Sequence, residues 1–293
     1  MALSVLVQQL ISGLAMGCIY SLVALGYTFI WNAVGIVNLA QGDFVTVAAF
    51  LYAATFSNHL KWGFVPALIA VMAVMALFGM GTERVVYHPL QGAHPRTVML
   101  STLALGILLS NMDIILWGPY PVTTRGPFGQ DIIRFGDVSI MQHHVFIIVV
   151  TLVLLFLQHL FFQKTTIGKV MRAVAQDREA ATLMGIETGQ TIAVTFAYSS
   201  ALAGIAGVLL APAFMVSVDL GSVGLKGFAS CVIGGFGHIT GATFGGILLG
   251  IAEVFVSSFL SSRYRDAIVF VILVAFLLLR PQGVLGRKVG ESL

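Results

Sequence analysis

In a chain that is 58% hydrophobic and 9% charged, few residues are placed to do chemistry. Asn38, Gln41 and Asp43, with Gly42 among them, lie in the stretch Trp31-Asn32-Ala33-Val34-Gly35-Ile36-Val37-Asn38-Leu39-Ala40-Gln41-Gly42-Asp43, flanked by long apolar runs. Glu253 stands alone within GILLGIAEVFVSSF. Polar side chains amid hydrocarbon must meet one another, backbone groups or a water-filled path. For Asn38, Gln41 and Asp43 two readings stand side by side: they line such a path, or they cap the helix that starts near Gly42 and stabilise a break in the chain. Glu253 either pairs internally, the favoured reading, or faces a cavity. Asp113, Asp219 and Lys226 fall near the outer ends of apolar runs, where solvation is the simpler account, and the same holds for His143-His144 at a span edge.

A second kind of chemistry, docking, is written in residues Gln163 to Gln190, a 28-residue polar island that carries seven of the 27 charged side chains. Its core VMRAVAQDREAATLMG is built from good helix formers, more than a solvated connector needs. Gly185 is placed to end that helix. Ala180 and Ala181 beside Glu179 leave a low surface able to enter a groove on a partner, with Arg172 and Arg178 adding charge at the rim.

Catalysis has no comparable support. Gly168-Lys169 lacks both the preceding glycine and the following Ser or Thr of a phosphate-binding loop, and neither HExxH nor GxSxG occurs. Cys18 and Cys231 lie in apolar segments without metal-ligand spacing and read as small packing residues. The chain is expected not to be an enzyme and to bind no cofactor.

These residues must be positioned by membrane helices. Spans need roughly 20 apolar residues each. Candidates run over 5–31, 42–57, 63–81, 97–117, 144–162, 190–212 and 266–280, the first being read as a membrane helix because MALSVLVQQL has no basic leader region. Region 218–260 is apolar but broken at Gly234-Gly235-Phe236-Gly237, which predicts a pair of short or discontinuous helices. Gly234 and Gly235, with the polar break near residue 38, are therefore candidates for a translocation path. Paired interruptions in the two halves are what an inverted repeat around a transport site would show. Gly13-xxx-Gly17, Gly241-xxx-Gly245 and Gly246-xxx-Gly250 each predict a tight helix crossing. Arg84, Arg96, the four basic residues of the island, Arg280, Arg287 and Lys288 make nine of the fifteen basic residues, and all fall on one side. That side is expected to be cytoplasmic. The loop 118–143 opposite mixes Arg125 and Arg134 with Asp131 and Asp137. The expected fold is an all-α polytopic membrane protein with about eight to ten membrane segments, some broken or short. It is expected to form one transmembrane domain over 1–293, with a cytoplasmic docking segment at about 163–190.

The order of these pieces resembles a known family. Gly13-Leu14-Ala15-Met16-Gly17-Cys18-Ile19-Tyr20-Ser21-Leu22 and Gly35-Ile36-Val37-Asn38-Leu39-Ala40-Gln41-Gly42 are similar to the N-terminal signature of LivH-type permeases of branched-chain amino-acid ABC importers. Arg172-Ala173-Val174-Ala175-Gln176-Asp177, Lys226-Gly227-Phe228 and Arg280-Pro281-Gln282-Gly283 fit as well. Glu179, Ala180, Ala181 and Gly185 match the EAA-x3-G core of importer permeases, although the later Ile-x-Leu-Pro is absent. The resemblance implies a permease in a bacterial inner membrane. It also implies a second LivM-type permease subunit, two cytoplasmic ABC ATPase subunits that use ATP and Mg, and an external solute-binding protein, with no nucleic acid. Leu39 and Gln41 stand where the family carries an aromatic residue and His, so urea, short amides and other small polar solutes remain alternatives to a branched-chain amino acid. The rival class is an ATP-independent secondary transporter, which would need an ion-coupling carboxylate such as Glu253.

Overall fold

A computed structural model describes residues 2–124, 126–128, 131–135, 138–259, 264–280 and 282–285. Arg125, Asp137, Pro281, Gly286, Arg287 and Lys288 lie outside the described residues. The chain is helical almost throughout, as continuous apolar runs in a membrane require: with no water to accept backbone hydrogen bonds, each span must satisfy them internally. Among the described residues, six helices are long and apolar enough to cross a bilayer. Five of them are α1 (Ala2–Val34), α3 (Phe64–Thr82, continued by a π turn), α4 (Pro95–Trp117), α5 (Gln142–Lys164) and α8 (Thr188–Leu210). The sixth is α10 (Ile239–Phe259). Three shorter apolar pieces lie among them: α2 (Gln41–Phe50) extended by a π-helical stretch Leu51–His59, α9 (Ser222–Gly234) and α11 (Arg265–Leu279). The island forms two small helices, α6 (Thr166–Gln176) and α7 (Arg178–Leu183).

α1 and α8 are the most enclosed spans, whereas α3, α4 and α5 expose most of their surface and form the rim. Exposed Leu100, Ile107, Ile115, Val149 and Phe156 on rim helices suit contact with lipid tails. Hydrophobic burial gives little drive between helices in lipid, so close backbone approach must hold them together. The predicted glycine pairs do this. A Cβ on Gly13 would stand 2.8 Å from Ile251 Cα, and one on Gly17 2.6 Å from Ile247 Cα, so α1 and α10 cross with backbones nearly touching. Gly246 and Gly250 face α1 at the same crossing, while Gly241 and Gly245 face α9 at Gly234 and Ser230.

The first helix runs on to Val34 and ends where Gly35 takes φ +70°. Residues 36–40 then fold back into the bundle, with Ile36, Val37, Asn38 and Ala40 buried, so the polar stretch is an embedded break. Chain direction fixes the sidedness. Asn32 Nδ2 near the end of α1 donates to the Gly237 carbonyl, and Val284 and Leu285 bond back to Ile233 and Gly234. The end of α1, the α9–α10 turn and the described tail therefore share one face. Arg172 of the island lines a cleft with Asn32 and Ala33, so the island lies on that face too. The beginning of α1 points to the opposite face, where β1 (Ile132–Phe135) pairs antiparallel with β2 (Val138–Met141) and Val122 bridges Val216.

Candidate functional site

At the embedded break the side chains turn onto one another. Ala40 N donates to Asn38 Oδ1 at 3.2 Å, and Leu39 N donates to Thr102 Oγ1 at 3.0 Å, which satisfies backbone groups that the missing helix turn leaves free. Gln41 Nε2 donates to the Ser199 carbonyl at 3.3 Å, and Asn38 Nδ2 approaches Gln41 Oε1 at 3.5 Å. Ser199 Oγ donates to the Gly26 carbonyl at 3.0 Å and lies 3.3 Å from Gln41 Oε1. Gly26 leaves the space that the Gln41 amide occupies. Asn38 and Gln41 are thus enclosed and hydrogen-bonded between α1, α2 and α8. Gly42 meets Gly224 at backbone contact, joining the start of α2 to α9. Asp43, half-buried, accepts from Ser110 Oγ at 2.8 Å, and Gly106 makes room for its other oxygen. One turn further along that face of α4, Asp113 is buried, with one carboxylate oxygen lacking a hydrogen-bond partner among the described residues. Its position near the span end did not bring solvation.

Lys226 and His143 correct the same expectation. His143 is buried, its Nε2 2.9 Å from the Leu209 carbonyl. Lys226 Nζ lies 2.7 Å from Glu253 Oε1 and 2.9 Å from Asp266 Oδ1, and Arg265 Nε also bonds Glu253 Oε1. Two cations and two carboxylates therefore tie α9, α10 and α11 together, with Lys226 Nζ 5.9 Å from the centre of the Tyr20 ring of α1. Burying a single Glu253 charge would cost several kcal/mol, roughly, and pairing offsets that. Gly234 and Gly235 occupy the tight end of α9, where Gly235 takes φ +107° and Gly283 packs against it.

On the island face, α6 buries Gly168, Met171 and Val174 and leaves Arg172 exposed. Asp177 Oδ1 accepts from Glu179 N and Ala180 N, both at 2.9 Å, and so caps α7. The helix ends at Gly185, φ +81°, with Ile186 N bonded to the Ala181 carbonyl. Ala181 turns inward, while Glu179 and Ala180 face outward. Arg178 reaches the Tyr87 hydroxyl. Sequence reasoning missed Leu183 and Met184, which are 88% and 83% exposed beside Glu179. Two large apolar side chains on a capped polar helix are an adhesive surface; the sequence signal was their place just before the C-capping Gly185.

A family model described as "Branched-chain amino acid transport system / permease component" matches residues 9–277. The chain is 33% identical over 300 residues to "High-affinity branched-chain amino acid transport system permease protein BraD" of Pseudomonas aeruginosa, covering 97% of each chain. It is 31% identical over 298 residues to the corresponding permease protein LivH of Escherichia coli K12, again covering 97% of each. A "probable branched-chain amino acid transport permease protein LivH" of Methanocaldococcus jannaschii is 30% identical, over 90% of this chain and 88% of that one.

Proposed function

The chain belongs to the branched-chain amino acid transport permease family, and from that premise we propose that it forms half of the membrane path of an ATP-driven importer for branched-chain amino acids. A second permease of the LivM type completes the path. Two cytoplasmic ATPases use ATP and Mg, and an external binding protein delivers the solute. The island face is cytoplasmic, and the membrane is the inner membrane of a bacterium.

The observation that carries this reading is the capped helix α7, which presents Glu179, Ala180, Leu183 and Met184 outward. A short rigid helix with exposed apolar ends can transmit a partner's closing motion into α6 and α8, which flank it. The embedded break at 36–40 and the Gly42–Gly224 contact supply a joint in the spans that such motion can rearrange. Asn38, Gln41 and Asp43 then belong to the path in the conformation where that joint opens. Glu253 holds Lys226 and Arg265, which speaks against its service as an ion-coupling carboxylate and hence against a secondary carrier.

The test is reconstitution of the complete transporter in vesicles with ATP inside. We expect uptake of leucine, isoleucine and valine that depends on ATP and on the binding protein. Uptake driven by an ion gradient without ATP would contradict the proposal, and selective uptake of urea or short amides would redirect its substrate.

A further inference from the structure

A buried carboxylate, Glu83, lies beside the island at the end of α3. Glu83 opens the π-helical turn Glu83–Tyr87 that follows α3 on the island face, and such turns are frequent at functional sites. Its side chain is 6% exposed, and Oε1 has no hydrogen-bond partner among the described residues. The basic nitrogen near it, His88 Nδ1, is 3.6 Å away. That nitrogen lies 3.3 Å from Gln91 Nε2 and stands beyond hydrogen-bond distance of Glu83 Oε1. A buried carboxylate oxygen left without a partner is costly, and a cation would satisfy it.

Glu83 lines an open cavity with Arg84, His88, Glu187, Gly189, Gln190 and the small Ala193. Two carboxylates, one guanidinium and a primary amide make a surface for a compact ligand carrying an ammonium and a carboxylate. Among the described residues no large apolar side chain lines the cavity, so it would read the charged end of an amino acid and leave the side chain outside. A metal ion suits it less, since no group of three His, Cys, Asp or Glu ligands forms among the described residues.

We propose that this cavity binds the zwitterionic end of an amino acid from the island side, with the ammonium on Glu83 and Glu187 and the carboxylate on Arg84. This rests on the transport reading above and on its sidedness. Glu187 is the N-cap residue of α8, two positions after the glycine that ends α7. A ligand bridging Glu83 and Glu187 ties the end of α3 to the exit of the coupling helix and restrains its movement. Solute that accumulates inside thereby slows further import.

The experiment uses the complete transporter in vesicles with ATP inside, and L-leucine, isoamylamine or 4-methylpentanoate trapped with it. Initial uptake of labelled external leucine is the readout. In the wild type, internal leucine is expected to slow uptake at least several-fold, isoamylamine less, and 4-methylpentanoate not at all. Glu83→Gln is expected to raise the half-inhibitory internal leucine concentration about tenfold or more, with uptake into empty vesicles within about twofold of wild type. Glu187→Gln, at an exposed position, should act the same way if Glu83→Gln fails to assemble. Equal inhibition of wild type and variants, or no inhibition by internal leucine, would overturn the site. Slower uptake by Glu83→Gln into empty vesicles with unchanged inhibition would also overturn it, since the carboxylate would then receive a side chain of the ATPase. Absence of ATP-driven uptake in empty wild-type vesicles would instead sink the transport reading, and the proposed role with it.

Discussion

At the scale of single residues, the membrane interior makes each charge a matter of partners. Glu253 is held by Lys226 and Arg265, so Lys226→Met removes the ion pair between α9 and α10 and one of Glu253's two cations. We expect that variant to lose about 3 kcal/mol, the scale for breaking a buried pair, and to melt earlier in detergent. Asp266→Asn, whose side chain is 71% exposed, should cost much less, and equal melting losses would contradict the network's internal role. Replacing Asn38 or Gln41 by Leu should leave the complex assembled and reduce transport at least tenfold, measured as initial uptake. Persisting transport would reduce these residues to a structural cap. Glu253's pairing was legible as one of two readings because a lone carboxylate in an apolar run needs a cation. Its partners were not, since Lys226 and Arg265 lie on other helices and only the crossing of α9, α10 and α11 brings them together.

Whole elements obey the same economy of close contact. Gly17→Leu must push α10 away, because even a Cβ there would stand 2.6 Å from Ile247 Cα. We expect little folded protein in membranes from that variant, whereas Gly81→Leu, with open space around it, should accumulate normally. Western blots of membrane fractions check this pair. Five of the seven candidate spans coincide with helices long enough to cross, whereas 42–57 is the shorter α2 with its π-helical extension and 266–280 the 15-residue α11; the glycine pairs could be read from spacing alone. The rotation of α7 could not: Ala181 faces inward and Leu183 and Met184 outward because α6 and α8 set how that helix lies. Likewise Glu83 sits just past the apolar run FVPALIAVMAVMALFGMGT, and nothing in that pattern distinguishes a buried carboxylate from a solvated one.

The whole molecule has a direction, with α1 starting on one face and the island and described tail on the other. Cys18 and Cys231 are both free and buried, which leaves introduced cysteines as clean reporters. Met184→Cys should react only with reagents on the cytoplasmic side and His59→Cys only with those outside; the reverse pattern would invert the proposed topology. The central claim is that α7 passes a partner's ATP-driven motion to the spans. Its most direct test is to measure ATP hydrolysis and leucine uptake together in vesicles holding the complete transporter with Leu183→Asp and Met184→Asp. We predict that both exchanges leave the permease inserted but cut uptake per ATP hydrolysed at least tenfold; an unchanged ratio with the ATPases still bound would contradict the account.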